Sequence, residues 1–274
     1  MKVHNPTSPS RRQATNVEYK KLLTGDKPYK SLLIRIKQNS GRNSAGRITQ
    51  RHQGGGNKKI YRIIDWKMKP GKALVETVEY DPYRTAFIAR VKYENDSRAY
   101  ILAPHNITKG ATLLIAESTP LKNGNRMKLK NIPVGYQVHN VELQPGQGGK
   151  IIRSAGSYAE ILANADGYTD LKMPSGEVRH VLWEGFASLG QLSNIEHNLV
   201  NIGKAGRSRH MGVRPTVRGS AMNPVDHPYG GGEGAQPRGT KRPKDVYGNI
   251  TGGRKTRAKR KPTNRLIVKR RNKK

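Results

Sequence analysis

The sequence predicts a mainly β protein, with two small barrels in tandem and long basic extensions at both ends. Three observations lead there. Between residues 60 and 194, short blocks rich in Val, Ile, Tyr and Thr alternate with turn residues at the close spacing of small barrels. No stretch there keeps the apolar period of a long helix. Charge is unevenly spread. Residues 1–59 carry 14 Lys or Arg against 2 Asp or Glu, residues 203–274 carry 21 against 3, and residues 60–202 carry 17 against 14. A nearly neutral body thus sits between two cationic segments.

Residues 1–31 are polar, with Pro6, Pro9 and Pro28 and no periodicity. Leu32-Leu33-Ile34-Arg35-Ile36 is a short apolar run, read either as a strand or as an anchor. Gln38 to Lys59 is loop-like, with Arg42, Arg47, Arg51 and His52 set among Gly and Asn, then Gly54-Gly55-Gly56, then Lys58 and Lys59. A phosphate-binding loop of nucleotide triphosphatases would need a Gly-Lys-Ser/Thr ending that opens a helix, and neither is present. The glycines are read as a close backbone approach to RNA phosphate.

From Ile60, five strand-like blocks (KIYRIIDWK, ALVETVEYD, TAFIARVKY, RAYILAP, ATLLIAE) are separated by turns such as Lys69-Pro70-Gly71 and Glu94-Asn95-Asp96. Five strands is the count of an oligonucleotide-binding (OB) barrel, although topology does not follow from a count. Leu121 to Arg126 marks a joint. A second set follows, GYQVHNVEL to EVRHVLWEG, with turns at Gln144–Gly149 and Pro174-Ser175-Gly176. Trp66 and Trp183 each fall in a strand and are expected in the cores. His139 and His180 are expected as barrel residues with local partners.

Arg207 to Gly234 has almost nothing with which to build a core. Arg207, Arg209, His210, Arg214 and Arg218 come first, then Asn223-Pro224, Asp226-His227-Pro228-Tyr229 and Gly230-Gly231-Gly232. Arginines in this density suit phosphate. Close glycines suggest a chain passing near something bulky and polyanionic. The last stretch, Arg254 to Lys274, is dense in cations, Arg257, Arg260 and Arg270 among them, around the island Leu266-Ile267-Val268. A nuclear localisation signal would read the same way, but direct phosphate contact explains both ends by one cause.

Composition narrows the partner. A formal charge of +33 repels itself until something neutralises it, and nucleic acid and anionic membrane are the candidates. No apolar run approaches a membrane span, and no basic amphipathic helix with an aromatic face is visible, so no membrane partner is expected. Without cysteine there are no disulfides or thiolate sites. The amino terminus has no apolar core of the kind a secretory signal needs. The eight histidines show no metal-binding spacing, so no metal is expected. Ser220, Asp226 and His227 supply the residue types of a hydrolase triad, but on a glycine-rich segment with no scaffold to orient them. No cofactor or catalytic group is therefore expected. Aromatic content of 6% is too sparse for a stacking platform, which favours backbone recognition of folded RNA. A DNA-architectural protein would show wedge or dimerisation elements, and none is visible.

Residues 41–59 (GRNSAGRITQRHQGGGNKK), residues 206–234 (GRSRHMGVRPTVRGSAMNPVDHPYGGGEG) and the basic terminus resemble the universal large-subunit ribosomal protein two family, bacterial or organellar type, nearly end to end. The resemblance implies an OB-like barrel followed by an SH3-like barrel. Domains are expected at 1–59 (basic RNA-binding arm), 60–120 (OB-like), 121–196 (SH3-like) and 197–274 (extended basic RNA-binding tail). It also implies binding to large-subunit ribosomal RNA, neighbouring ribosomal proteins, an intersubunit contact with the small subunit, and proximity to the peptidyl-transferase region. Location follows as the cytoplasm, in the ribosome, with an organellar ribosome as the alternative. The family usually has His-Pro-His before its glycines. This chain has His227-Pro228-Tyr229. Tyrosine is no general base near neutral pH without a large pKa depression, which points to a structural loop.

Overall fold

The computed structural model describes residues 1–25, 27–234, 239–253 and 255–271. The two ends of the last basic run, Arg254 and residues 272–274, fall outside them. The chain forms two compact units, one of residues 1–37, 58–204 and 265–274, the other of residues 38–57 and 205–264.

The first unit is mainly β. Two short pairs come first: β1 (Lys2–Val3) with β2 (Thr15–Asn16), and β3 (Leu33–Ile34) with β4 (Tyr61–Arg62). Within the apolar run at 32–36, Leu33 and Ile34 thus form a short strand. β5 (Gly71–Glu79) pairs on one side with β6 (Ile88–Tyr93), which continues to β7 (Arg98–Leu102), and on the other with β8 (Thr112–Ile115). Ala73, Val75 and Val78 of β5 all enter one core with Val91, Ile101, Leu113 and Ile115. Strict alternation cannot send both Val75 and Val78 inward. A register break between Val75 and Thr77 supplies the extra residue.

A second core gathers Met127, Leu129, Val138, Ile161, Leu171, Val181 and Leu189. Its strands are β9 (Arg126–Lys128), β10 (Gln137–His139), β11 (Ala159–Ala165), β12 (Tyr168–Lys172), β13 (Val178–Leu182) and β14 (Phe186–Leu189). A single parallel pairing, Ile115 with Arg126, joins the two sets. β15 (Ile267–Lys269), drawn from the apolar island of the basic terminus, adds to the edge at β13.

The amino-terminal 37 residues differ from the expected extension. Ala14 and Val17 are buried, and the Thr15 hydroxyl donates to the Leu199 carbonyl at 2.8 Å. Two small apolar side chains inside a polar stretch give no periodic signal. Trp66 and Trp183 are only half-buried, and the Arg153 guanidinium lies 4.4 Å from the Trp66 ring centroid.

Arg126 is completely buried, a place cations rarely occupy unpaired. It donates to Glu142 at 3.0 Å and to the Asn140 carbonyl at 2.9 Å. The other oxygen of Glu142 takes the N–H of Gly146 at 3.1 Å and of Phe186 at 3.3 Å. Burial pushes the Arg126 pKa down, and Glu142 opposes the shift. Arg126→Met leaves the carboxylate uncompensated. It is expected to cost about 3–5 kcal/mol in denaturant-induced unfolding.

His139 is also buried, with Nδ1 2.9 Å from the Gly190 carbonyl. Burial lowers its pKa to about 4, the Gly190 carbonyl opposes that, and Arg126 adds to it. The folded state therefore holds His139 neutral. Its contribution is complete above the ordinary value of 6.5 and is lost as pH falls toward about 4. Unfolding free energy measured across that window should fall less steeply in His139→Gln.

Candidate nucleic-acid interface

The second unit is held by backbone rather than by a core. Asn43 to Gly46 turns tightly: the Gly46 N–H reaches the Asn43 carbonyl at 3.1 Å, and Asn43 Oδ1 takes the Arg47 N–H at 3.0 Å. Arg42 and Ile48 then pair across the turn, and Arg42 and Arg47 are both exposed.

The next residues run against the segment after α2 (Ala205–His210). The Gly54 N–H donates to Gly212 at 2.8 Å, Asn57 to His210 at 2.9 Å, and Arg214 to His52 at 2.9 Å. Gln53 bridges Val213 in antiparallel fashion. A Cβ on Gly56 would lie 2.8 Å from both the Cα and the nitrogen of Gly212. On Gly55 it would meet Arg209 Nη2 at 3.0 Å, and on Gly54 the Ser40 hydroxyl at 2.9 Å. All three glycines thus have protein atoms close by, main chain at Gly56 and side-chain ends at Gly54 and Gly55.

The same holds for the second glycine run. A Cβ on Gly230 would meet the Asn223 carbonyl oxygen at 2.2 Å, and one on Gly231 would meet Pro224 Cγ at 2.6 Å. Gly231 and Gly232 also have positive φ, at 81° and 89°. The Asn223 carbonyl accepts from Asp226 and His227, closing the loop on itself. Tyr229 ties this loop to the next, since its hydroxyl accepts the Lys244 N–H and lies 3.3 Å from the Thr240 hydroxyl. A histidine at 229 carries no such oxygen.

His227 Nδ1 takes the Tyr229 N–H at 3.1 Å. A triad base needs that nitrogen held by a carboxylate, so the arrangement with Ser220 and Asp226 is not a hydrolase's.

Sequence-predicted residues thus divide by task. Arg209 braces the loops by donating to the Gly54 and Val213 carbonyls, and His210 Nδ1 lies 3.0 Å from Asn57 Oδ1. Arg257 is bound to Asn264 and Thr263. Arg207 is half-buried, whereas Arg218, Asn223 and Arg260 are exposed. In the first unit, Lys58 is exposed, Lys59 lies 6.0 Å from the Tyr83 ring centroid, and Arg270 is exposed just beyond β15.

Arg42, Arg51, His52 and Arg214 line one hollow of about 730 Å³, and no carboxylate lines it. The three arginines have no carboxylate partner among the described residues. The hollow has a wall the sequence reading missed, Tyr247. Arg51 donates to its hydroxyl at 3.4 Å and lies 5.7 Å from its ring centroid. The legible signal was Asp245-Val246-Tyr247-Gly248-Asn249, a turn in which Asp245 caps the Tyr247 and Asn249 N–H groups. Burial alone would raise the Asp245 carboxyl, but these hydrogen bonds prevail and lower it.

The second unit holds 17 Lys or Arg against 3 Asp or Glu. A hollow walled by arginine and tyrosine, on glycine-shaped backbone, is chemistry for phosphate and ribose. Two protein-family models match the chain. The model described as Ribosomal Proteins L2, RNA binding N-terminal domain, matches residues 29–115, and the model described as Ribosomal Proteins L2, C-terminal domain, matches residues 122–248.

The chain belongs to the ribosomal protein L2 family. It is therefore a ribosomal protein with an RNA-binding domain. The L2 RNA-binding match contains Arg42, Arg47, Arg51 and His52, and the C-terminal match contains Arg214, Tyr229 and Tyr247. The hollow thus takes its walls from both matched regions.

Gly56→Ala is expected to break the ladder between residues 52–57 and 210–214, by a clash with backbone that has no side chain to move aside. Amide exchange at Gly54, Asn57 and Arg214 should speed at least ten-fold, with the β11–β13 amides unchanged.

Proposed function

We propose that the chain is a structural, non-enzymatic component of the large ribosomal subunit. It binds large-subunit ribosomal RNA, mainly through phosphate. The observation that carries this is the arginine-walled hollow of the second unit, in a region whose cations outnumber its carboxylates several-fold. The two barrels, 60–120 and 121–196, hold the basic segments within 1–59 and 197–274 at the RNA. Arg42, Arg47, Arg51, Arg214 and Arg218 neutralise phosphates, joined by Lys58, Lys59, Arg257, Arg260 and Arg270. Arg209, His210 and the glycines shape the backbone that presents them.

On the same reading, the loop around Tyr229 lies near the peptidyl-transferase region as architecture, with RNA supplying the chemistry. Neighbouring ribosomal proteins touch the body, and an intersubunit contact reaches the small subunit. The protein works inside the ribosome, in the cytoplasm or in an organelle, on neither DNA nor membrane. No helix among the described residues is long and apolar enough to cross a membrane.

Affinity for a large-subunit ribosomal RNA fragment should fall linearly on a logarithmic salt axis as counterions return to the RNA. Arg51→Ala and Arg214→Ala should each reduce that slope by about one and weaken binding regardless of sequence. Filter binding across a salt series decides it, and an unchanged slope in both variants would refute the reading.

A further inference from the structure

A second hollow, of about 380 Å³, lies on the first unit, and none of the residues assigned to RNA above lines it. Asp166, Tyr168, Asp170, His180, Arg265 and Leu266 line it. We propose that it holds one unpaired guanine base of RNA. This rests on the RNA-binding reading and adds sequence-dependent recognition to it. The RNA-binding description belongs to the amino-terminal family match, whereas this hollow is built almost wholly from the region of the other.

The fold puts these groups together by three short-range devices. The β11–β12 hairpin closes on the two-residue turn Asp166-Gly167, both at positive φ, 50° and 83°. Such a turn suits the right-handed twist of the strands, and it stands the Asp166 side chain at the tip. Asp170 and His180 face each other across the β12–β13 ladder as register partners. Arg265 and Leu266 arrive with the chain that leads into β15, which pairs with β13.

The lining then supplies what a base needs. Tyr168 is 36% exposed, and its ring centroid is 5.6 Å from that of His180. An exposed ring offers a face for stacking, the usual way a protein receives a base that has left its own stack. His180, with 39% of its side chain exposed, is hydrogen-bonded through Nδ1 to Asp170. When the ring is neutral, Nδ1 donates to that carboxylate, which leaves Nε2 as an acceptor. Asp166 is an exposed carboxylate with no partner among the described residues. Arg265 is exposed, likewise without a carboxylate partner among them.

Acceptors and one strong donor therefore face the same space. Guanine has two adjacent N–H donors on one edge, N1 and N2, which a single carboxylate accepts together. Its O6 and N7 are acceptors suited to a guanidinium. Adenine lacks the paired donors and would leave the Asp166 carboxylate facing a lone pair. A basic side chain of a neighbouring protein is the other occupant an acidic hollow could take. Here Asp170 is already engaged by His180, and Arg265 lines the same space, so a second cation would meet a resident one.

Nucleosides test this without phosphate, and so without the general attraction of a +33 chain. The full-length protein is titrated with guanosine, adenosine, cytidine and uridine while the ring resonances of Tyr168 and His180 are followed by NMR. Guanosine should shift both saturably, and adenosine should bind at least ten-fold more weakly. Asp166→Asn keeps size and suits the left-handed backbone, and it should abolish the preference for guanosine. Tyr168→Leu should weaken binding ten-fold. Equal shifts from all four nucleosides, no shifts, or a preference surviving in Asp166→Asn would overturn the proposal. So would N-acetylarginine methylamide moving these resonances where guanosine does not. Binding of the ribosomal RNA fragment, measured in parallel, separates the two readings. If RNA binds with the expected salt slope while guanosine does nothing, only the base pocket fails. If guanosine binds and the RNA does not, the RNA-scaffold reading fails.

Discussion

The second unit depends on the approach of Gly56 to Gly212. Where the two backbones come this close, no side chain fits on Gly56, and main-chain hydrogen bonds hold the join with help from the Arg209 and His210 side chains. Each such bond contributes only about 1 kcal/mol net, so the unit relies on several in register and not on buried area. The gain is in presentation. Arginines on a segment with no core would otherwise sample many directions. Pinned on either side of a short ladder, Arg42, Arg51 and Arg214 converge on one hollow.

Charge is then sorted by where carboxylates are spent. In the first unit, Glu76 is shared by Arg90 and Arg98, and Glu184 by Lys128 and Lys130. These cations serve the fold, mostly at the surface, where each pair is worth little. The 3 carboxylates of the second unit cannot do the same for its 17 cations. Both units keep a cationic excess, 35 Lys or Arg against 16 Asp or Glu in the first, but ion pairing absorbs a larger share of the cations in the first than in the second.

Much of this was legible in the sequence. Most strand blocks of the body are strands, because alternation of Val, Ile and Tyr with turn residues is a local signal, but KIYRIIDWK keeps only Tyr61–Arg62, in a separate pair with β3. His139 and His180 have the local partners expected of them. The glycines were recognised as close-approach positions, but what they approach was not legible. Gly56 and Gly212 are far apart in the chain, and nothing in either segment names the other. Ala14 and Val17 were invisible because two small apolar residues make no period. Tyr247 was missed because its importance comes from where a turn places it, not from its own surroundings in sequence.

The second unit is built from segments at 38–57 and 205–264, with both barrels between them in the chain. Loop-closure entropy rises only slowly with length, so the separation is a modest thermodynamic burden. Kinetically it is decisive. Synthesis runs from the amino terminus, and the glycine triplet is made long before its partner strand exists. The barrels, whose contacts are local, can form in that interval. The arginine hollow cannot form until residues 205–214 and Tyr247 appear, by which time every strand of the first unit except β15 has been synthesised.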